Sequence, residues 1–254
     1  MGARHTHPLY VHGHSRVHRL APEVKVAAAV AFVFGVAVTP RQALWVFAID
    51  AVMLLVVVAL SGIGPRFVLT RLLVILPFIA FAFFIPFVGS GEQVEVLGVA
   101  VSREGLWGMW NVVAKATIGA TVSILLAATT EVPRLLTGMG RLRVPATLTA
   151  IASFMVRYLE LLAGELRRMR IAMASRGYDP RWLWQARPVA TSAGALFIRS
   201  YERGERVHAA MLARGYTGTM PEIDERRATT GEWLAGALVP VVAWLAAMVA
   251  LVAG

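Results

Sequence analysis

Two stretches of this chain carry the same cationic pattern. Arg168-x-x-x-Ala172-Met173-x-x-Arg176-Gly177-Tyr178 matches Arg206-x-x-x-Ala210-Met211-x-x-Arg214-Gly215-Tyr216 at a constant offset of 38 residues, with six identities in an 11-residue window. A guanidinium is a planar fork of donors that grips carboxylates with two bonds at once. Gly177 and Gly215 suit the left-handed position that ends a helix. An arginine in the last turn sits among exposed carbonyls that favour a cation. Ala172, Ala174, Ala210 and Ala213 keep each approach thin, so a thin helix tip ending in a forked cation suits a groove that holds a carboxylate. One copy would be ordinary capping chemistry. Two copies in matching context imply a partner with two equivalent grooves, such as a dimer.

Other groups with chemical potential are scattered. Asp50 and Lys115 lie inside long apolar runs, where an ionisable group costs several kcal/mol unless partnered. Three readings stay open for them: a mutual ion pair, separate hydrogen bonding or exposure to a lumen, and a proton or ion path. Five of the six histidines are His5, His7, His12, His14 and His18. Their spacing offers imidazoles to a transition metal, yet no supporting residues surround them, so a polar leader is the preferred reading over a chelating one. Gly138-x-Gly140 lacks the Lys-Ser/Thr of a phosphate loop. No serine stands in a nucleophile-elbow context, and no zinc-ligand helix motif is present. With no cysteine, disulfides, thiolate metal sites and thiol nucleophiles are excluded.

The elements that must position these residues are membrane helices. The chain is 57% hydrophobic and only 16% charged, against about 45–50% and 25% in soluble domains. Apolar runs at 24–38, 43–60, 67–88, 106–128 and 233–252 predict five spans. The first is short, and Pro77 and Pro86 are expected to kink the third. Its end, Val36-Ala37-Val38-Thr39-Pro40, has no small-x-small site, so it reads as a retained helix and not as a cleaved signal. Residues 89–104 read as a polar, net acidic loop with Glu92, Glu95 and Glu104.

Between Glu131 and Arg227 the texture changes: 16 of the 25 basic residues fall there. By the positive-inside bias this segment faces the cytoplasm and the acidic loop faces out. Arg16, Arg19 and Lys25 put the N-terminus inside as well, and four spans return the chain to the same side, so parity and charge agree. The C-terminus is then outside. Within the basic segment Leu148, Ile151, Phe154, Met155, Tyr158, Leu161 and Leu162 recur at helical spacing. One long helix followed by a second from Pro188 to Arg214, broken at Asp179-Pro180, predicts an antiparallel pair. Residues 133–143 read as a short amphipathic helix. The expected fold is thus an all-α integral membrane protein with about five transmembrane helices and a cytoplasmic pair of long helices. Its regions are a His-rich leader (1–23), four spans (24–130), the cytoplasmic helical region (131–231) and a last span (232–254). Arginines alternating with acids, and no aromatic platform between them, speak against nucleic acid.

These motifs resemble the transmembrane T component of energy-coupling factor transporters. The likeness rests on the two coupling-helix ends, on His18-x-Leu20-x-Pro22-x-x-Lys25, on Gly140-x-Leu142-x-Val144-Pro145 and on Arg157-Tyr158 leading into Glu165 and Arg168. It covers nearly the whole chain and is most similar to the cobalt-type branch. Ser175 stands where the family has Ala, and Ala21 where Asp is usual. The resemblance implies a non-catalytic scaffold in the bacterial cytoplasmic membrane. Two ATP-binding-cassette ATPases would seat Ser175-Arg176-Gly177 and Ala213-Arg214-Gly215, with Arg168, Ala172, Arg206 and Ala210 supporting. ATP and magnesium would belong to those partners, and no cofactor to this chain. A separate substrate-binding membrane subunit would carry the solute, most plausibly cobalt. A T component for nickel or a vitamin is the nearer alternative. A self-contained secondary transporter working through Asp50 and Lys115 is the more distant one.

Overall fold

Helices account for almost all of the described residues because the apolar runs are long and their polar breaks short. The computed structural model describes residues 10–88, 93–96, 99–178, 182, 187–218 and 226–253. In order come α1 (Arg16–Arg19), α2 (Pro22–Val38), α3 (Leu44–Ser61), α4 (Pro65–Leu72), α5 (Leu76–Ala82), α6 (Ile85–Val88), β1 (Gln93–Val96), β2 (Val99–Ser102), α7 (Arg103–Thr129), α8 (Val132–Arg141), α9 (Ala146–Ser175), α10 (Arg187–Ala213) and α11 (Thr230–Ala253). They form two units, Met1–Leu142 with Glu225–Gly254, and Arg143–Asp224. The boundary follows α8 instead of preceding it, because α8 packs on α2.

Five helical segments are long and apolar enough to cross a membrane: Leu44–Ser61, Pro65–Val88, Arg103–Thr129, Ala146–Ser175 and Thr230–Ala253. The number matches expectation and the set does not. The 17 residues of α2 reach only about 26 Å, short of a roughly 30 Å hydrocarbon core. Ala146–Ser175, expected as a surface helix that merely dips toward the bilayer, meets the criteria instead. The third span is broken, as its prolines require. A 3-10 turn at Leu73–Ile75 precedes Pro77, and a turn at Phe83–Phe84 precedes Pro86. The acidic loop contains an antiparallel hairpin pairing Gln93 with Ser102 and Val96 with Val99. Its period-two signal was legible in Gln93-Val94-Glu95-Val96 and Val99-Ala100-Val101. Glu92 lies outside the described residues.

In the first unit Phe32, Val36, Phe47, Leu54, Ile118, Val122, Leu125 and Ala243 form the core. α11 brings a stripe of small residues, Ala243, Ala246, Ala247 and Ala250, that allows close approach to α2 and α3. The Trp244 indole seals that contact by donating to the Ala31 carbonyl at 2.9 Å.

One end of this bundle is held by buried charge. Lys25 spends its three protons on the carbonyls of His18 (3.1 Å) and Thr129 (3.0 Å) and on the Thr130 hydroxyl (3.0 Å). That ties the start of α2 to the end of α7. Glu23 accepts from Arg141 on α8 at 3.3 Å and from the Ala228 amide ahead of α11 at 2.9 Å. The starts of α2 and α11 and the end of α7 therefore share one face of the bundle. His18 is fixed as the Nε2–H tautomer: Nε2 meets the Val11 carbonyl at 3.0 Å, and Nδ1 meets the Ser15 hydroxyl at 2.7 Å. α8 can reach α2 only because residue 138 is glycine. A β-carbon there would stand 2.8 Å from the Glu23 nitrogen and from the Pro22 carbonyl carbon.

Two outcomes are expected. Gly138→Ala should lower stability by about 1–3 kcal/mol through forced backbone displacement, read as thermal midpoint in detergent. Burial pushes the His18 imidazole below its ordinary 6.5; the Val11 carbonyl, the next largest influence, opposes it, and the nearby Lys25 and His14 add smaller downward pushes. The unfolded chain then binds the proton more readily. The stability held by neutral His18 is complete above pH 6.5 and is lost as pH falls below it. A midpoint that declines on acidification, and declines less in His18→Gln, checks this.

Candidate functional site

The second unit is built on α9 and α10, and their pairing is antiparallel. Arg199 bonds Glu165 at 3.1 Å, and Ser192 approaches the Met173 sulfur at 3.5 Å. Farther back along α9, Phe154, Arg157 and Tyr158 share a cavity of about 720 Å³ with Ala210, Met211, Arg214 and Tyr216. Arg176 therefore ends one helix at one pole of the hairpin, and Arg214 ends the other helix near the opposite pole. The antiparallel register of Arg199 with Glu165 and of Ser192 with Met173 carries Arg214 toward the start of α9, away from the Arg176 tip.

Both tips close with identical backbone bonding. The Tyr178 amide donates to Met173 C=O at 3.1 Å and the Gly177 amide to Ala174 C=O at 3.0 Å. At the second tip Tyr216 donates to Met211 C=O and Gly215 to Leu212 C=O, each at 3.0 Å. This is the Schellman closure, and it needs a left-handed residue after the cap. Gly177 at φ +77° and Gly215 at φ +83° supply it. The pattern of exposure repeats too. Met173, Tyr178, Met211 and Tyr216 are half-buried, while Arg176, Gly177, Arg214 and Gly215 are exposed.

Neither Arg176 nor Arg214 makes a side-chain hydrogen bond or ion pair among the described residues. Each is a forked cation held at a rigid helix end and facing outward. Ser175 turns its hydroxyl back onto the Ile171 carbonyl at 3.0 Å, so it leaves the tip as thin as alanine would. Arg168, Ala172, Arg206 and Ala210 are exposed along the approaches, with Arg206 3.8 Å from Glu202 one turn earlier. The Asp179-Pro180 break lies outside the described residues.

The intramembrane candidates are not brought together. Lys115 donates to the Ala37 carbonyl at 2.8 Å, in the last turn of α2 where carbonyls lack helical partners. Asp50 is fully buried, and both its oxygens lack a partner among the described residues. In the leader, His12 and His14 are exposed, and the His12 ring meets Tyr10 edge-on at 4.9 Å. His5 and His7 lie outside the described residues.

In the sequence His18 stands out only as a leader histidine and in the family-like motif, Lys25 only in that motif and in the charge bias, and Glu23 and Arg141 not at all. The one available signal was a charged pair inside the first turn of an apolar helix, Glu23-x-Lys25, where solvation is scarce.

The chain joins apolar helices of membrane-spanning length to a charged helical hairpin with paired cationic tips. Comparison with known proteins places it more closely. The profile of the cobalt transport protein family, CbiQ, matches residues 13–224, and the chain belongs to that family. It is 31% identical over 139 residues to the cobalt transport protein CbiQ of Rhodobacter capsulatus, covering 54% of this chain and 57% of that one. The energy-coupling factor transporter transmembrane protein EcfT of Bacillus selenitireducens is 29% identical over 235 residues, with 82% of each chain covered. An uncharacterized Methanocaldococcus jannaschii protein, MJ1571, is 26% identical over 216 residues, covering 82% of this chain and 73% of its own.

Because nothing lies within 4 Å of a β-carbon added at Gly177 or Gly215, the cost of Gly→Ala there is backbone strain alone. It should amount to about 1–2 kcal/mol, confined to the helix end. Hydrogen exchange checks this: Tyr178 and Tyr216 amides should lose protection while the global thermal midpoint hardly moves.

Proposed function

We propose that this chain is the non-enzymatic coupling subunit of an ATP-driven importer of the energy-coupling factor type. One observation carries the reading: two exposed arginine tips with the same backbone closure, at opposite ends of one hairpin. A single cationic tip fits many partners. Two alike, at opposite poles, fit a pair of like subunits whose separation changes, as in two ATPases that close on ATP and magnesium. Arg176 and Arg214 would bind carboxylates in equivalent grooves, with Gly177, Gly215, Ser175 and Ala213 permitting close seating. Motion of the pair would pass through α9 and α10 to a separate membrane subunit that binds the solute. Cobalt is the proposed solute, supported by the family and by the name of the Rhodobacter relative. The tips would face the cytoplasm of a bacterial inner membrane, in keeping with the excess of arginine around them.

The test is purification of the chain from its native membrane, with and without Arg176→Glu and Arg214→Glu together. Stoichiometric ATPases with the wild-type chain, lost together with transport in the double variant, are expected. Wild-type uptake by the double variant would sink the assignment. A chain that purifies alone and still moves solute in liposomes would instead turn attention to the unpartnered Asp50.

A further inference from the structure

The chain passes between its two units twice, and both crossings are fastened to one carboxylate. α8 ends at Arg141, and the first unit ends one residue later at Leu142. Arg141 Nη1 donates to both Glu23 oxygens at 3.3 Å and to the Arg226 carbonyl at 2.6 Å. The chain rejoins the first unit at Glu225, and three residues on, the Ala228 amide donates to Glu23 Oε1 at 2.9 Å. The outgoing and returning connectors are therefore bound to each other and to the first turn of α2. Glu23 is 4% exposed and the Arg141 side chain 9%, so water does not loosen the pair. Backbone contact at Gly138 removes slack between α8 and α2. Immediately beyond the pair stands Arg143, at φ +66° the one left-handed residue other than glycine among those described.

We infer that Glu23 and Arg141 are positioning residues for energy coupling, forming the rigid joint through which movement of the α9–α10 hairpin enters the membrane helices. The inference rests on the coupling reading above. A displacement arriving along either connector is borne by the same buried ion pair, so the two connectors move together and do not shear past one another. From the first turn of α2 the load spreads at once. Lys25 carries it to the end of α7 through Thr129 and Thr130, and Val24 carries it to α11 through its contact with Gly236. Three membrane helices are engaged at one end by two residues.

The experiment uses the complete complex in liposomes and records bound ATPase, ATP hydrolysed and solute taken up by the same vesicles. Glu23→Gln and Arg141→Gln should keep ATPases in wild-type amounts while uptake per ATP falls about fivefold or more, the low end of coupling between distant sites. The double variant should be no worse than either single, because both remove one shared link. Wild-type uptake per ATP in either single variant overturns the joint, as does ATPase loss in proportion to uptake. Should the single variants fail to assemble, two glycines inserted between Leu142 and Arg143 decide the matter while leaving every clamp contact in place. The same drop is expected, and an unchanged ratio overturns the proposal. A wild-type chain that binds no ATPase would overturn the coupling reading and the joint with it, a result visible before any variant is made.

Discussion

The structure depends on two opposite charges buried in the first turn of α2. Neither Glu23 nor Lys25 has access to bulk water, and each is tolerable only because the polar groups around it are fully committed. Lys25 has three donors and finds three acceptors. Glu23 receives a guanidinium and a backbone amide. Removing one partner of such a pair typically costs about 3–5 kcal/mol, since the other is left buried and uncompensated. The geometry of the whole bundle end follows. α2, α7, α8 and α11 cannot shift independently without stranding a charge. An apolar contact surface would let helices slide, whereas these hydrogen bonds fix register.

The two arginine tips have the opposite electrostatic character. Their cations are exposed and unpaired among the described residues, and their rigidity comes from backbone closure instead of side-chain partners. Holding a guanidinium without neutralising it makes it available to a carboxylate from elsewhere, and the ordering entropy has already been spent in part by the glycine-capped turn. The charge that holds shape is buried and satisfied, whereas the charge at the tips is exposed and available to another surface.

Much of this was legible from residue order. The repeat, the glycine caps, the two long helices and the broken third span all arise from local rules, where a few neighbouring residues decide the backbone. Gly177 and Gly215 announce a left-handed turn with no knowledge of the fold. The misses are non-local. Glu23 and Arg141 are 118 residues apart, and nothing near either names the other. Lys115 and Asp50 share similar depth in neighbouring helices, which left a pair, separate hydrogen bonding and an ion path all open. Depth leaves the rotation of each helix open, and Lys115 reaches Ala37 instead. The hairpin at 93–102 was hidden by its acids, which read as loop although the valines alternated. α9 joins the long apolar helices, and α2, with 17 residues, is the shortest of the expected spans. The arginines that crowd the end of α9 masked its apolar first half.

The hairpin's own packing bears on what the protein needs around it. α9 has one buried residue, Ala150, and α10 has none, so Leu148, Ile151, Met155, Leu159, Phe197 and Ile198 are left exposed. Helices of this length gain most of their stability from tertiary burial and little from intrinsic propensity. With so little burial inside the hairpin, lipid along the apolar start of α9, or other chains along the rest, would complete its shape. A body with its own dense core would resist such partners and keep its own geometry. One without a core would adopt the spacing that partners impose on its two ends, the compliance that the proposed coupling role requires.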